Sequence, residues 1–349
     1  MRKLRLALLG LGHQGSNDHL PAILQCPEVE LVAVCDLNQE LVESVAREYS
    51  VAGFCDIRRL AEIIQPDIAV VAVPHDQHLL VVQTLAEFGV HILKEKPFAV
   101  SLSEACEMER IVRQSGIALR ISVQRRFDPV YKQFFELRSQ IGQIYSIEGR
   151  YTKNIARLDE GWRAHLEQSG GGALIDMGYH MIDLLMWYFG LPQSLFARMS
   201  IGNRENQTYD VEDTISIGFD YQNGPSAVRR NCLGSLIISR AYPFDEERLS
   251  VVGSRGAIEV TKKKIRLLDS RGIEVAKQES QKGWVNAFSD QLSSFARALF
   301  AGEPKLASNF QDHVPHVQFI ESSYRSCRDG RTETFQDQLT LEEKIYAVG

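Results

Sequence analysis

The sequence predicts an α/β protein of two domains: an N-terminal doubly wound parallel sheet, then an α+β domain built on a large, mostly antiparallel sheet. Three observations predict it. The opening run Leu4-Arg5-Leu6-Ala7-Leu8-Leu9 enters Gly10-Leu11-Gly12-His13-Gln14-Gly15, which reads as a buried strand, a glycine turn and the start of a helix. Strand and helix patterns then alternate through the first third of the chain. Beyond Gln124 the pattern changes to short strand-like segments joined by polar or glycine links. At 349 residues, the chain is also too long for one ordinary core.

In the first domain, placed at 1–123, the glycine turn has a mechanism. Gly10 permits the tight turn, Gly12 lets the backbone approach a pyrophosphate, and Gly15 lets the helix pack closely on the strand. The helix start, with His13 and Gln14 in it, offers free N–H groups to phosphate. The second strand, Val29 to Cys35, ends at Asp36, about 20 residues past the glycines, where a ribose-binding carboxylate is expected. Together these predict an NAD site in a Rossmann domain, with NADP disfavoured because Leu37-Asn38-Gln39 offers no cation to a 2′-phosphate. A nucleotide-free α/β turn with an incidental Asp is the bland alternative. Glu40 to Glu48 reads as a helix and Asp67 to Val73 as a buried parallel strand stopped by Pro74. Pro74-His75-Asp76-Gln77-His78 is read as a loop under the nicotinamide end of the cofactor, with Pro74 and His78 as its contacts, against an ordinary strand-to-helix turn. Leu79 to Phe88 is a helix capped by Gly89, and Val90 to Leu93 a strand running into Lys94-Glu95-Lys96-Pro97. Ser103 to Ser115 is a helix followed by Gly116, and Ile117 to Val123 the last strand.

The second domain, 124–349, is expected to bind substrate and carry oligomerisation. Its elements are a helix from Pro129 to Ser139, a strand from Ile144 to Thr152, a loop with Trp162, and Gly170-Gly171-Gly172 leading into a long apolar helix to Phe189. Strand-like segments follow at Leu195–Ile201, Asp213–Asp220, Ser226–Cys232, Ser235–Arg240, Glu247–Val252, Gly256–Val260 and Ile265–Leu268. Helices are expected over Asn286–Ala301 and Asp312–Arg328, the C-terminal one able to pack back on the first domain. A large sheet with helices on one face leaves the other to bury against something, which predicts a homo-oligomer.

The net charge of −6 and the absence of a basic block exclude nucleic acid as an expected partner. No apolar run approaches the roughly 20 residues that cross a bilayer, so no membrane partner is expected. Arg2 and Lys3 precede a short run that flows into the glycine turn, read as a strand and not a signal peptide. Cys26, Cys35, Cys55, Cys106, Cys232 and Cys327 lack metal-type spacing, which predicts free thiols and a cytoplasmic protein.

Two constellations carry chemistry. Lys96 follows a parallel strand at the sheet edge where ligands of open α/β sheets bind, and could meet a substrate hydroxyl and a ribose; the usual fate of Lys is a solvated surface. Asp176 and His180 stand four apart on the apolar helix, with Asp183 one turn on. A buried helix carries ionisable groups only with a partner or a task, and imidazole suits general acid–base work. A satisfied core pair competes with this reading, as does a solvated helix face. A metal site is the weakest alternative because no further ligand cluster lies nearby in sequence, so none is expected. Arg125, Arg126, Lys153, Arg157, Trp162 and Arg163 lie where the second domain begins and could hold a polyhydroxylated or anionic substrate, though arginines are more often solvated.

These residues carry a resemblance. Gly10-Leu11-Gly12…Gly15 with His19-Leu20-Pro21-Ala22, then Glu95-Lys96-Pro97, then Gly171-Gly172-Ala173-Leu174-Ile175-Asp176-Met177-Gly178-Tyr179-His180-Met181-Ile182-Asp183 resemble the glucose–fructose oxidoreductase, inositol dehydrogenase and rhizopine-catabolism group (Gfo/Idh/MocA) over nearly the whole chain. The resemblance implies an NAD-dependent oxidoreductase acting on a secondary alcohol or ketone of a sugar, inositol or sugar derivative, and a homodimer or homotetramer as the form of the oligomer. Lys96, Asp176 and His180 would form its catalytic set, and Glu95 and Lys96 would join the cofactor contacts. Where the group often has Ser or Thr before the proline of the third-strand loop, this chain has Val73. The group also implies two rivals: an NAD-dependent glycoside hydrolase and a non-catalytic sensor on the same fold.

Overall fold

The computed structural model describes residues 2–221, 228–280, 283–302 and 309–335. The chain divides into two compact units, Met1–Phe127 with Lys282–Val314, and Asp128–Gln281 with Pro315–Gly349. The expected boundary after residue 123 thus stands beside an observed one after Phe127, and the helix Trp284–Phe300 belongs to the first unit.

The first unit is a six-stranded sheet of β1 (Leu4–Leu9), β2 (Val29–Cys35), β3 (Ala52–Phe54), β4 (Ile68–Val71), β5 (His91–Lys94) and β6 (Leu119–Ile121), in the order β3-β2-β1-β4-β5-β6. Every pairing in it is parallel. The near-continuous apolar runs of β1 and β4 are buried on both faces, as a parallel sheet covered by helices requires. The order reverses between β1 and β4, and the loops after these strands leave from the ligand-binding edge. Helices Gln39–Tyr49, Ile57–Ile64, His78–Glu87 and Leu102–Ser115 connect the strands. Asn38, Asp56 and Ser101 each cap a helix start by accepting a backbone N–H. The helix Ile57–Ile64 lies outside the sequence reading although Asp56 marks its start and Ile57, Leu60, Ala61 and Ile64 repeat at helical spacing, whereas the three-residue β3 is too short to show a period. Helix Trp284–Phe300 returns across more than 150 residues of chain to put Leu292, Phe295 and Ala296 against Leu6, Val34 and Val70 in one core.

The second unit carries a nine-stranded sheet, ordered β14-β13-β12-β11-β7-β10-β9-β8-β15, that is antiparallel except where β7 (Ile144–Asn154) meets β10 (Val228–Ser239). The remaining strands are β8 (Ser194–Ser200), β9 (Thr214–Tyr221), β11 (Ala241–Gly253), β12 (Gly256–Thr261), β13 (Lys264–Asp269), β14 (Glu274–Glu279) and β15 (Glu333–Thr334). The two strands expected at Ser226–Cys232 and Ser235–Arg240 are one continuous strand from Val228; residues 226 and 227 lie outside the described residues. Gly234 marks no turn there: a Cβ on it would strike the Phe219 ring, so its role is close packing. The expected helix Pro129–Ser139 is two short pieces, Pro129–Lys132 and Phe134–Leu137.

Alternation in the strands sorts the two faces. Ile215, Ile217, Leu236, Ile238, Leu249 and Val251 are fully buried on one. On the other, Arg248 reaches Glu148 at 3.2 Å and Glu246 at 3.2 Å, Arg266 reaches Glu259 at 2.6 Å, and Phe196 and Leu233 are exposed. No described helix is long and apolar enough to cross a membrane. All six cysteines are free.

Candidate active site

The three glycines of the turn sit in three different surroundings. Gly10 sits at φ +89°, and a Cβ there would strike the Ala72 carbonyl. A Cβ on Gly15 would strike the Gly10 carbonyl oxygen, so the helix start can lie on the turn only without a side chain. Gly12 is exposed, and a Cβ on it would meet nothing within 4 Å. The space in front of Gly12 is therefore open, and a side chain there would project into it. The expected α-helix opens with a wider π segment, Gly15–His19, before Leu20–Gln25, a local widening common at functional sites.

Asp36 is half-buried at the end of β2 and accepts from Leu11 N at 2.7 Å and from Asn38 N at 2.9 Å. It thereby ties the glycine turn to the second strand, while a carboxylate keeps lone pairs for further donors. His13 is exposed, with its Nδ1 2.5 Å from Asn17, and Gln14 is half-buried.

Beyond β4, Pro74 opens a short 3-10 turn, His75–Gln77, and is half-buried. His78 is not a surface contact. Its ring is 1 % exposed, with Nε2 3.2 Å from the Val73 carbonyl and Nδ1 2.9 Å from Lys94 Nζ. The first turn of the helix from His78 packs inward, and the ring supports the loop from beneath.

After β5, Glu95 is buried and its Oε1 lies 2.8 Å from His19 Nε2, while Oε2 accepts Lys96 N at 3.2 Å. Burial alone would raise this carboxyl, but the His19 hydrogen bond, Lys96 and the Ser122 hydroxyl together hold it below the ordinary carboxylate range. The His19 ring is braced edge-on by Phe288, 4.9 Å away. Glu95 therefore links the helix after the glycine turn to the backbone of Lys96. Lys96 is half-buried at the sheet edge, followed by a cis bond to Pro97.

In the second unit the long apolar helix begins as a π segment, Leu174–Gly178, and continues as Tyr179–Phe189. Its start is held by Glu212, which accepts Gly172 N at 2.7 Å and Leu174 N at 2.8 Å and takes the Tyr324 hydroxyl at 3.0 Å. A Cβ on Gly172 would strike the Glu212 carbonyl, and one on Gly171 the Tyr324 hydroxyl. Burial raises the Glu212 carboxyl, with these donors opposing it. Asp176, on the π segment, is 8 % exposed and receives Arg163 Nε at 3.0 Å. The Arg163 guanidinium lies over the Trp162 ring at 4.2 Å. His180 is half-buried, its ring 6.4 Å from that of Tyr151 on β7. Asp183 turns inward to His316 Nε2 at 2.9 Å and is 1 % exposed.

Of the residues expected near substrate, Trp162 and Arg163 gather around Asp176. Arg157 is exposed and paired with Asp159 on its own loop at 2.9 Å, and Lys153 on β7 is paired with Asp245 on the adjoining strand β11 at 2.7 Å. Arg126 is half-buried in the 3-10 turn Gln124–Phe127 of the first unit, where Arg125 is buried with its guanidinium 5.9 Å from the Trp284 ring. Three residues escaped the sequence reading: Lys94, Glu212 and Tyr151. Tyr151 alone left a signal, sharing strand parity with the buried Ile147 and Gly149.

Residues 4–123 match the model of an oxidoreductase family described as GFO/IDH/MocA, NAD-binding Rossmann fold, and residues 138–259 match the GFO/IDH/MocA C-terminal domain. D-glucoside 3-dehydrogenase of Escherichia coli K12 is 29% identical over 237 residues, 63% of this chain and 68% of that protein. The NAD(+)-dependent scyllo-inositol 2-dehydrogenase of Bacillus subtilis 168 is 25% identical over 339 residues, 94% of this chain and 95% of that protein. Among solved structures, aldose–aldose oxidoreductase of Caulobacter crescentus, complexed with glycerol, superposes with a TM-score of 0.82 at 23% identity, over 96% of this chain and 100% of that one.

Proposed function

The chain belongs to the GFO/IDH/MocA oxidoreductase family, and from that membership we propose that it is an NAD-dependent dehydrogenase acting on a secondary alcohol, or the matching ketone, of a sugar, inositol or sugar derivative. The observation that carries the reading is the shape of the glycine turn: Gly10 and Gly15 are packed against backbone while Gly12 faces open space, with Asp36 at the rim. Bound NAD supplies the hydride acceptor. His180 takes the hydroxyl proton as general base. The Lys96 ammonium donates to the same oxygen and stabilises the negative charge that develops there. Asp176, oriented by Arg163, holds a neighbouring hydroxyl or steers His180.

The test is a panel of sugars, cyclitols and sugar acids assayed for reduction of NAD and of NADP. NADH formation from at least one polyol is expected, with NAD favoured because Asp36 repels a 2′-phosphate. Asp36→Ser should narrow that preference. Glycoside cleavage without net NADH, or equal efficiency with NADP, overturns the corresponding part of the reading. The open face of the nine-stranded sheet, with Phe196 and Leu233 exposed on it, supports a homodimer or homotetramer. Light scattering at micromolar concentration checks this, and a monomer mass counts against it.

A further inference from the structure

We propose that Lys94 is a positioning residue for Lys96: together with His78 it forms a buried strut that ties the Glu95-Lys96-Pro97 turn to the Val73-Pro74 turn. The inference rests on the role given to Lys96 above. Strands β4 and β5 are neighbours, Val71 pairing with Lys94, so the two turns leave the same sheet edge side by side. Lys94 is 0 % exposed, an unusual place for a lysine. Its Nζ donates to the Glu95 carbonyl at 2.9 Å and the Pro97 carbonyl at 2.5 Å, and lies 2.9 Å from His78 Nδ1. Those two carbonyls flank Lys96, so the strut holds its backbone from both sides. The Val73 carbonyl can only accept, which assigns the ring proton of His78 to Nε2 and leaves Nδ1 as the acceptor for Lys94. Burial, then the charges of Lys94 and His75, keep His78 neutral, well below its ordinary pKa.

An ammonium brings three donors to three acceptors; methionine or leucine of similar length brings none. The bland alternative is a strand-end lysine that found local acceptors. What speaks against it is the identity of the acceptors: two belong to the Glu95-Lys96-Pro97 turn, and the third is a ring that itself holds the Val73 carbonyl of the neighbouring turn. Burial pulls the Lys94 pKa down to about 7, with Glu104 and Glu95 opposing and Lys96 adding to the fall. His75, His78, Glu95, Glu104 and Lys96 are the titratable groups that act on this strut. Once Lys94 loses its proton it has two donors for three acceptors, and one tie is released.

The experiment is a double-mutant cycle. Lys94→Met should lower kcat on the best panel substrate by about 10- to 100-fold through misplacement of Lys96, while NAD affinity stays within about threefold. In a Lys96→Ala background, Lys94→Met should cost nothing further, because the strut acts through Lys96. Additive losses, or NAD affinity falling in step with kcat, overturn the proposal. The His78 ring nitrogens give a readout independent of turnover. In the wild type their 15N shifts should report an Nε2–H tautomer with a hydrogen-bonded Nδ1, and that Nδ1 signal should move in Lys94→Met. Unchanged ring signals overturn the strut. If no panel substrate is turned over, the dehydrogenase reading fails and the ring signals judge the strut alone.

Discussion

His180→Ala is expected to lose about 10²–10⁴-fold in turnover, the usual contribution of general acid–base catalysis, while keeping near-normal NAD affinity. The split follows from the geometry. His180 stands on a helix of the second unit beside Tyr151, whereas the proposed phosphate cradle draws on β1, the glycine turn and Asp36 of the first. Lys96→Ala should cost as much, since it combines positioning with charge stabilisation. Asp176→Asn should cost less and shift the pH profile of the rate, because Arg163 then meets a neutral amide and not a carboxylate. No divalent metal should be needed, as the lysine already supplies positive charge at the reacting oxygen. Calorimetry of NAD binding and turnover with and without chelator check all of this together. Retained activity in His180→Ala would overturn the acid–base assignment, as would activity abolished by chelator and restored by zinc.

Alanine at two glycines of one turn should produce opposite failures. On a helix, Gly→Ala ordinarily stabilises by about 0.5–1 kcal/mol. At Gly15 sterics win, because the new Cβ would strike the Gly10 carbonyl, and backbone cannot swing aside as a side chain can. A loss of about 1–3 kcal/mol is expected, as for other overpacking substitutions. At Gly12 the new methyl meets nothing within 4 Å, so the protein should fold with a melting temperature close to the wild type. That methyl projects into the cradle instead, and NAD affinity should fall by about tenfold or more, since backbone N–H groups can no longer close on the pyrophosphate. Thermal melts and NAD titrations of both variants separate the effects. A Gly12→Ala protein that binds NAD normally would show that the cradle lies elsewhere.

Local chemistry made the first unit legible. A β-branched run between Asp67 and Pro74 has few alternatives to a buried strand, and observed β4 sits inside it. Gly116, the expected helix end, stands at φ +72°, where a residue with a Cβ is strained. The second unit is legible by alternation, which places five strands to within a residue or two, starts β11 six residues late, and leaves out the two-residue β15 and the whole of β14. That strand is exposed on both faces over Glu274–Lys277 and has no apolar period to read.

Period, turn geometry and helix spacing act over a few residues, so the architecture, the glycine turn with its acid and the residue types available for chemistry are written locally in the chain. Which ionisable groups work on a ligand and which hold the frame was decided only in three dimensions. Asp183 and Asp176 stand on the same helix, seven residues apart, and look equivalent in the chain. One is tied to His316, 133 residues away, and the other receives the half-exposed Arg163. His78 and Lys94 look like surface residues at loop ends, yet both are buried against each other. Glu212 caps a helix that starts some 40 residues before it. Burial and partnership set the charge state of such groups, and both are properties of what the fold brings together from distant parts of the chain, where no local pattern records them.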